Sequence, residues 1–225
     1  MRRERALTRG TGLALTVGAV LVVAAPAVVA QSGDPMTIDL ARLQFDLNPD
    51  FTTWRTGKGD PAEWTLVGDP TAANGRAIAQ TSKDRTGYRF PLAVYKPFTG
   101  KDLDVSLRFK PVAGEVDQAG GIAVRLLTPD DYYVVRANAL EDNVRFYRVV
   151  KGRREQLQSF DIKVAGNRWH RLGLRAQGDR FTVSYDDKNL FTAVDKTFAE
   201  AGKVALWTKA DSVTYFDTIT ITPLP

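Results

Sequence analysis

The stretch "GIAVRLLTPDDYYVVRANALEDNVRFYRVV", Gly121 to Val150, decides the fold. Two clusters of turn-forming residues, "TPDD" and "EDN", divide it into three short runs. Each run alternates. Ile122 and Val124 share one face while Gly121, Ala123 and Arg125 share the other. Tyr133, Val135 and Ala137 alternate with Tyr132, Val134, Arg136 and Asn138. Val144, Phe146 and Arg148 alternate with Asn143, Arg145 and Tyr147. Side chains point to opposite faces in turn along a strand, so three β-strands are expected here, joined by two tight turns.

The same period of two runs through most of the chain. Strands are expected at 63–67, 76–80, 88–95, 103–110, 121–126, 132–139 and 143–150. Further strands follow at 154–162, 168–177, 180–186, 190–195, 203–209 and 213–221. Turn chemistry separates them: "DPTAANG", "VKGRR", "AQGDR" and "DDKN". "KTFAE" (196–200) is expected to form a single helical turn, and no long stretch has apolar residues at helical spacing. About a dozen strands, spaced roughly ten residues apart, argue for an all-β sandwich rather than a parallel α/β sheet.

The hairpins imply a register. If "EDN" pairs Asn138 with Asn143, Arg136 lies opposite Arg145. If "TPDD" pairs Leu127 with Tyr132, Ala123 lies opposite Arg136 and Gly121 opposite Asn138. Arg125, Arg136, Asn138, Arg145 and Tyr147 would then share a face with small residues between them. Two arginines directly opposite cost about 0.2–1 kcal/mol, so the pattern asks for a reason. One reason is a solvated outer face. The other is a groove floor whose guanidinium forks and amides meet the hydroxyls, ring oxygens or carboxylates of a sugar. In "KVALWTK", Ala205, Trp207 and Lys209 would repeat the theme: a small residue, an aromatic plate and a cation. Trp207 is either a stacking surface for a sugar ring or a core residue.

The first thirty residues read as an address. A basic start, "MRRERALTRG", precedes an apolar run that ends in small residues, so a secretory leader cleaved after Ala30 is expected. A signal anchor kept in the membrane is the alternative. Removing thirty of 225 residues leaves 195, enough for one single-core domain from Phe45 onward, with 31–44 as a linker or first edge segment. The leader carries four arginines and one glutamate, +3 of the formal +5, so the remainder is near +2 and offers no case for nucleic-acid binding. No second apolar run is long enough to span a bilayer. Cysteine is absent, which excludes disulfides and a lipid anchor on an N-terminal Cys; the single histidine, His170, excludes His-rich zinc sites. No cofactor is expected, although a calcium site built from oxygen ligands stays open.

Three segments carry a family resemblance: "GGIAVRLLTPDDYYVVRANALEDNVRFYRVVKGRR", "NRWHRLGLRAQGDRFTVSYDDKNLF" and "GKVALWTKADSVTYFD". Over about Phe45 to Ile221 they resemble the concanavalin A-like lectin/glucanase superfamily and, more narrowly, the 3-keto-disaccharide hydrolase domain family. The resemblance implies a jelly-roll sandwich of two antiparallel sheets with a concave, carbohydrate-binding face. It implies two further alternatives, a glycoside-acting hydrolase or lyase and a protein-binding envelope module of the laminin G-like kind. Glycan-cleaving relatives resemble one another in an E-x-D-x-x-E strand motif, whose paired carboxylates serve as acid and nucleophile. Here "EVDQAG" supplies Glu115 and Asp117 but sets Gly120 where the second Glu belongs, and reads instead as a glycine-rich loop. Asp211 and His170 are the remaining catalytic candidates, each with a structural reading beside it: a turn or cap hydrogen bond, and a buried structural histidine. Asp217, inside an apolar strand, needs a partner, either an arginine or a calcium site near the domain's edge.

Overall fold

The computed structural model describes residues 33–43, 47 and 50–225. The expected leader and the expected domain start at Phe45 lie outside these residues. Fifteen strands are present: β1 (Met36–Thr37), β2 (Phe51–Gly57), β3 (Trp64–Gly68), β4 (Arg76–Gln80), β5 (Arg89–Gly100), β6 (Leu103–Ala113), β7 (Ala119–Thr128), β8 (Asp131–Asn138), β9 (Asn143–Val150), β10 (Arg153–Asp161), β11 (His170–Gln177), β12 (Arg180–Tyr185), β13 (Lys188–Val194), β14 (Gly202–Trp207) and β15 (Val213–Pro223). No helix occurs among the described residues. The helical turn expected at 196–200 is instead an irregular connection with bends. Strand β1 falls within 31–44, the segment read as a linker or first edge segment, whereas the edge strand β2 was not foreseen. In "FTTWRTG" only Phe51 and Trp54 are large and apolar, and they point to opposite faces.

The strands form two antiparallel sheets. One runs β13-β12-β11-β6-β15-β4-β3, with β1 also on β15; the other runs β10-β9-β8-β7-β14-β5-β2. The chain crosses between sheets at β1–β2, β2–β3, β4–β5, β5–β6, β6–β7, β10–β11, β13–β14 and β14–β15. These crossovers build the jelly roll. Its main core lies between the sheets, where alternation brings together one face of each. Tyr133, Phe146 and Phe181 form its aromatic centre, with Tyr133–Phe181 and Phe146–Phe181 ring centroids 4.4 and 5.0 Å apart. No helix among the described residues is long and apolar enough to cross a membrane.

The second sheet positions the site, and it is strongly curled. In a flat sheet four strand spacings of about 4.8 Å would put β5 roughly 19 Å from β9. Yet the Tyr88 hydroxyl, just before β5, donates to Gly152 O in the β9–β10 turn at 2.8 Å and accepts from Arg154 N at 2.7 Å. Thr56 on β2 likewise reaches across to the β7–β8 hairpin, meeting Pro129 O at 2.5 Å and the Tyr132 hydroxyl at 2.8 Å. The face turned away from the main core is therefore concave, and its two sides touch.

A β-bulge starts this curl. The β7–β8 register shifts between Val124 and Thr128, and Arg125 adopts φ 46°. Bulges bend a strand and increase its twist. Gly202 on the neighbouring β14 is needed there, because a Cβ on it would fall 2.4 Å from the Arg125 carbonyl carbon.

Candidate functional site

One cross-strand row spans the concave face: Arg145, Arg136, Gly121, Trp207, Leu92 and Trp54 on β9, β8, β7, β14, β5 and β2. Arg136 stands opposite Arg145 and Asn138 opposite Asn143, as the "EDN" turn implies. The β7 partners differ from expectation: Gly121 faces Arg136, and Ala119 faces Asn138. The bulge accounts for the shift of two residues. Gly121 leaves Arg136 its place, since a Cβ there would lie 3.1 Å from the Arg136 Cβ and 2.5 Å from Val135 O.

Arg125 does not join this face. It is buried at the end of the sandwich, where its guanidinium donates to Phe198 O at 2.8 Å, Gly178 O at 2.6 Å and Lys101 O at 3.1 Å, and pairs with Asp102 at 3.2 Å. The positive φ that makes the bulge turns the side chain out of the alternation.

Trp207 lies on the concave face but is fully buried. It stacks on Phe90 at 5.3 Å and donates from Nε1 to the Tyr132 hydroxyl at 3.3 Å. With Leu92, Val94, Val134 and Val149 these rings form a second, smaller core inside the curl. The Arg154 guanidinium covers it, 4.4 Å from the Tyr147 ring centroid, 4.7 Å from Phe90 and 5.9 Å from Trp207. Of the two readings of Trp207, the structure gives the core residue and not the exposed stacking plate.

The other end of the face is polar. Arg136, almost wholly buried, donates to Glu141 Oε2 at 2.7 Å and to the Tyr147 hydroxyl at 3.2 Å, and bonds the Asn143 side-chain oxygen. Arg145 shares that carboxylate, at 3.4 Å from Glu141 Oε2. Asn143 Nδ2 also donates to it at 3.3 Å. One glutamate thus bridges the two opposed arginines and supplies the reason the register asked for. Burial raises the Glu141 carboxyl, but Arg136, the Asn143 amide and Arg145 outweigh it and hold the group below its ordinary value. Beside this cluster Asn138 Nδ2 donates to Asp117, whose other oxygen pairs with Lys209. Burial pushes the Asp117 carboxyl up, against the pull of Lys209.

Two donors here are buried without a hydrogen-bond partner among the described residues: Arg145 Nε and Arg154 Nη1. The cluster still meets solvent through Arg145 and Glu141, whose side chains are 33% and 35% exposed. Val116 and Leu140, exposed apolar residues, sit on the adjoining loops, which Ala139 N joins by donating to Gln118 O at 2.9 Å. Asp117, Glu141 and Arg154 were not expected at the site. Glu141 reads as a turn residue, though its spacing of four to Arg145 was visible; Asp117 sits in a glycine-rich loop.

Neither catalytic candidate belongs to this cluster. Asp211 spends both carboxylate oxygens on a loop: Oδ2 accepts from Glu115 N at 2.7 Å and Oδ1 from Val116 N and Asp117 N at 3.1 and 3.0 Å. It thereby fixes the backbone that carries Asp117. His170 is wedged between Asp186 Oδ2, 2.9 Å from Nδ1, and Ala165 O, 3.0 Å from Nε2, and stacks on Tyr185. Asp217 finds its arginine, with Arg108 Nε at 3.2 Å, and caps Ala73 N at 2.7 Å. Position 120 cannot complete a carboxylate pair, because a Cβ there would lie 2.7 Å from the Phe109 ring. No group of three His, Cys, Asp or Glu among the described residues could hold a metal ion.

No protein-family model matches the chain, and no curated protein matches it either. Solved structures do. The carbohydrate-binding module CBM66 from Bacillus subtilis superposes with a TM-score of 0.61 at 18% identity, over 77% of this chain and 97% of that one. A Bacteroides ovatus GH16 protein from a mixed-linkage glucan locus, solved with its G4G4G3G product, gives 0.55 at 13% identity over 79% and 96%. Domain 4 of AbnA, an extracellular GH43 arabinanase from Geobacillus stearothermophilus solved with arabinotriose, gives 0.52 at 12% over 78% and 84%. These likenesses and the two-sheet topology define the fold as a concanavalin A-like jelly roll.

Proposed function

We propose that this chain is a carbohydrate-recognition domain, and that its ligand meets the polar end of the concave face. The observation that carries the reading is the network Arg136–Glu141–Arg145 with Asn143, Asn138, Asp117 and Lys209. It fixes forked donors and carboxylate acceptors at a place partly open to solvent, and it leaves one buried donor of Arg145 unpaired. Sugars are recognised by such preset hydrogen-bonding groups. The apolar rim of Val116 and Leu140 offers surface for the C–H faces of a ring. Further support comes from the structural neighbours, of which one is a carbohydrate-binding module and two were solved with oligosaccharides. The binding reading is favoured over a hydrolytic one because the carboxylates here are tied up: Asp117 by Lys209 and Asn138, Glu141 by two arginines.

A glycan array followed by titration calorimetry tests the reading. Arg145→Ala should abolish binding of any saccharide that the protein from Gln31 onward retains. Arg175→Ala should not, since Arg175 pairs with Asp104 on the other sheet. Retained binding in Arg145→Ala would move the site elsewhere. Export through the leader belongs to the same proposal, and N-terminal sequencing of the native protein should find Gln31 first.

A further inference from the structure

Resting on that reading, we infer that the saccharide recognised is anionic: a sugar carrying a carboxylate or a sulfate, held between Arg145 and Arg154. The argument starts from charge around Tyr147. Arg136 bonds its hydroxyl at 3.2 Å, Arg154 lies over its ring at 4.4 Å, and Arg145 is two residues away on the same face. Three guanidinium groups therefore surround one phenol. Glu141 answers two of them with a single carboxylate, 2.7 Å from Arg136 and 3.4 Å from Arg145. The shorter contact belongs to Arg136, which needs no further partner. Asp161 adds one negative charge near Arg145 from the end of β10, where it pairs with Asn143 and is exposed. Arg154 has no ion pair among the described residues. The local sum stays positive.

The donors make the case specific. Arg145 Nε and Arg154 Nη1 are the two buried guanidinium donors on this face without an acceptor among the described residues. A buried unpaired donor is costly, and it is most strongly relieved by an anionic oxygen. A planar fork suits an oxyanion better than a lone hydroxyl. The rings of Phe90, Tyr147 and Trp207 hold the Arg154 guanidinium in place, so little freedom is lost on binding.

The test uses matched ligands: oligogalacturonate, its methyl ester as the neutral isostere, and a sulfated galactan with its desulfated form. Each is titrated against the protein from Gln31 onward and its variants. At least one charged ligand should bind about tenfold or more tightly than its neutral partner, the factor expected for a charge-assisted hydrogen bond. Arg145→Gln and Arg154→Gln should each erase most of that ratio, and Arg154→Lys should keep the salt dependence but lose affinity. Thermal melts on all three identify any variant that has merely unfolded, in which case Arg154→Lys decides. Whether carboxylate or sulfate is preferred identifies the source of the anion. Equal affinity for charged and neutral partners overturns this inference and leaves the carbohydrate reading standing. No binding to any saccharide overturns both.

Discussion

Trp207→Ala is the sharpest test of the curled sheet. The side chain is fully buried, stacked on Phe90 at 5.3 Å, with Tyr132 at its Nε1 and Arg154 above it. A buried tryptophan removes about 150–250 Å² from water, which at ~25 cal/mol/Å² corresponds to roughly 4–6 kcal/mol. Alanine recovers part of this, and the walls relax only partly, so the net loss should be about 3–5 kcal/mol. Tyr132 adds little to the cost, because its hydroxyl keeps Thr56 at 2.8 Å. For a domain of this size the melting temperature should fall by about 6–20 °C. Far-UV circular dichroism under urea and heat measures both, and is indifferent to the three remaining tryptophans. A loss below about 1 kcal/mol, with acrylamide readily quenching the part of the wild-type emission that Trp207→Ala removes, would show Trp207 to be an exposed plate and the curl to be wrong.

Glu141→Gln should cost about 1.5–3 kcal/mol in urea titrations, since buried Arg136 loses its counter-ion, and a double-mutant cycle with Arg136→Gln should show strong coupling. Gly202→Ala should destabilise by about 1–3 kcal/mol or more, because its Cβ meets backbone atoms of Arg125 and Leu126 at 2.4 and 2.6 Å; a neutral melt would refute the tight bulge. Acid unfolding should be steep between about pH 4 and pH 2. Lys110 and the Thr71 bonds hold Asp69 at about 2, and the backbone amides of Asp60 and Thr86 hold Asp84 at about 2, both down from 3.8. A depressed carboxyl contributes stability that is complete above its unfolded value and lost as pH falls through the folded one. Asp69→Asn should flatten that part of the profile, each group contributing less than about 2 kcal/mol after solvent screening.

The sandwich was legible because its cause is local. Alternation names which face of each strand is apolar, and turn residues mark the ends; β9 runs from Asn143 to Val150 as expected. The "EDN" turn pins Arg136 against Arg145 for the same reason: a short hairpin allows few registers. The β7–β8 pairing was not legible, because nothing in "AVRLLTPDD" announces a residue at positive φ where arginine stands. Nor was the closure of the concave face. It depends on Thr56 meeting Tyr132, 76 residues away, and on Tyr88 meeting Gly152. Alternation places Trp207 on a face; only the curvature of the whole sheet decides whether that face is wet.

The bulge at Arg125 ties these results to function. Kept in the plain alternation, Arg125 would have joined Arg136 on the face, and the hairpin beyond it would have continued flat. Instead the positive φ sends its guanidinium to three carbonyls and Asp102 at the end of the sandwich, and the β7–β8 tip bends over until Pro129 reaches Thr56. The apolar half of the concave face is then consumed by its own packing, with Arg154 as the cover. On the proposed reading, what is left for a ligand is the end where Gly121 and Ala119 keep the floor low and the strands carry Arg136, Asn138, Asn143 and Arg145. Aromatic stacking on Trp207 is unavailable there, so selectivity at the proposed site would come from hydrogen bonds and charge. Such a site rejects a ligand that lacks the matching polar group far more strongly than an apolar pocket can reject an extra methylene, because its donors would otherwise stay buried and unpaired.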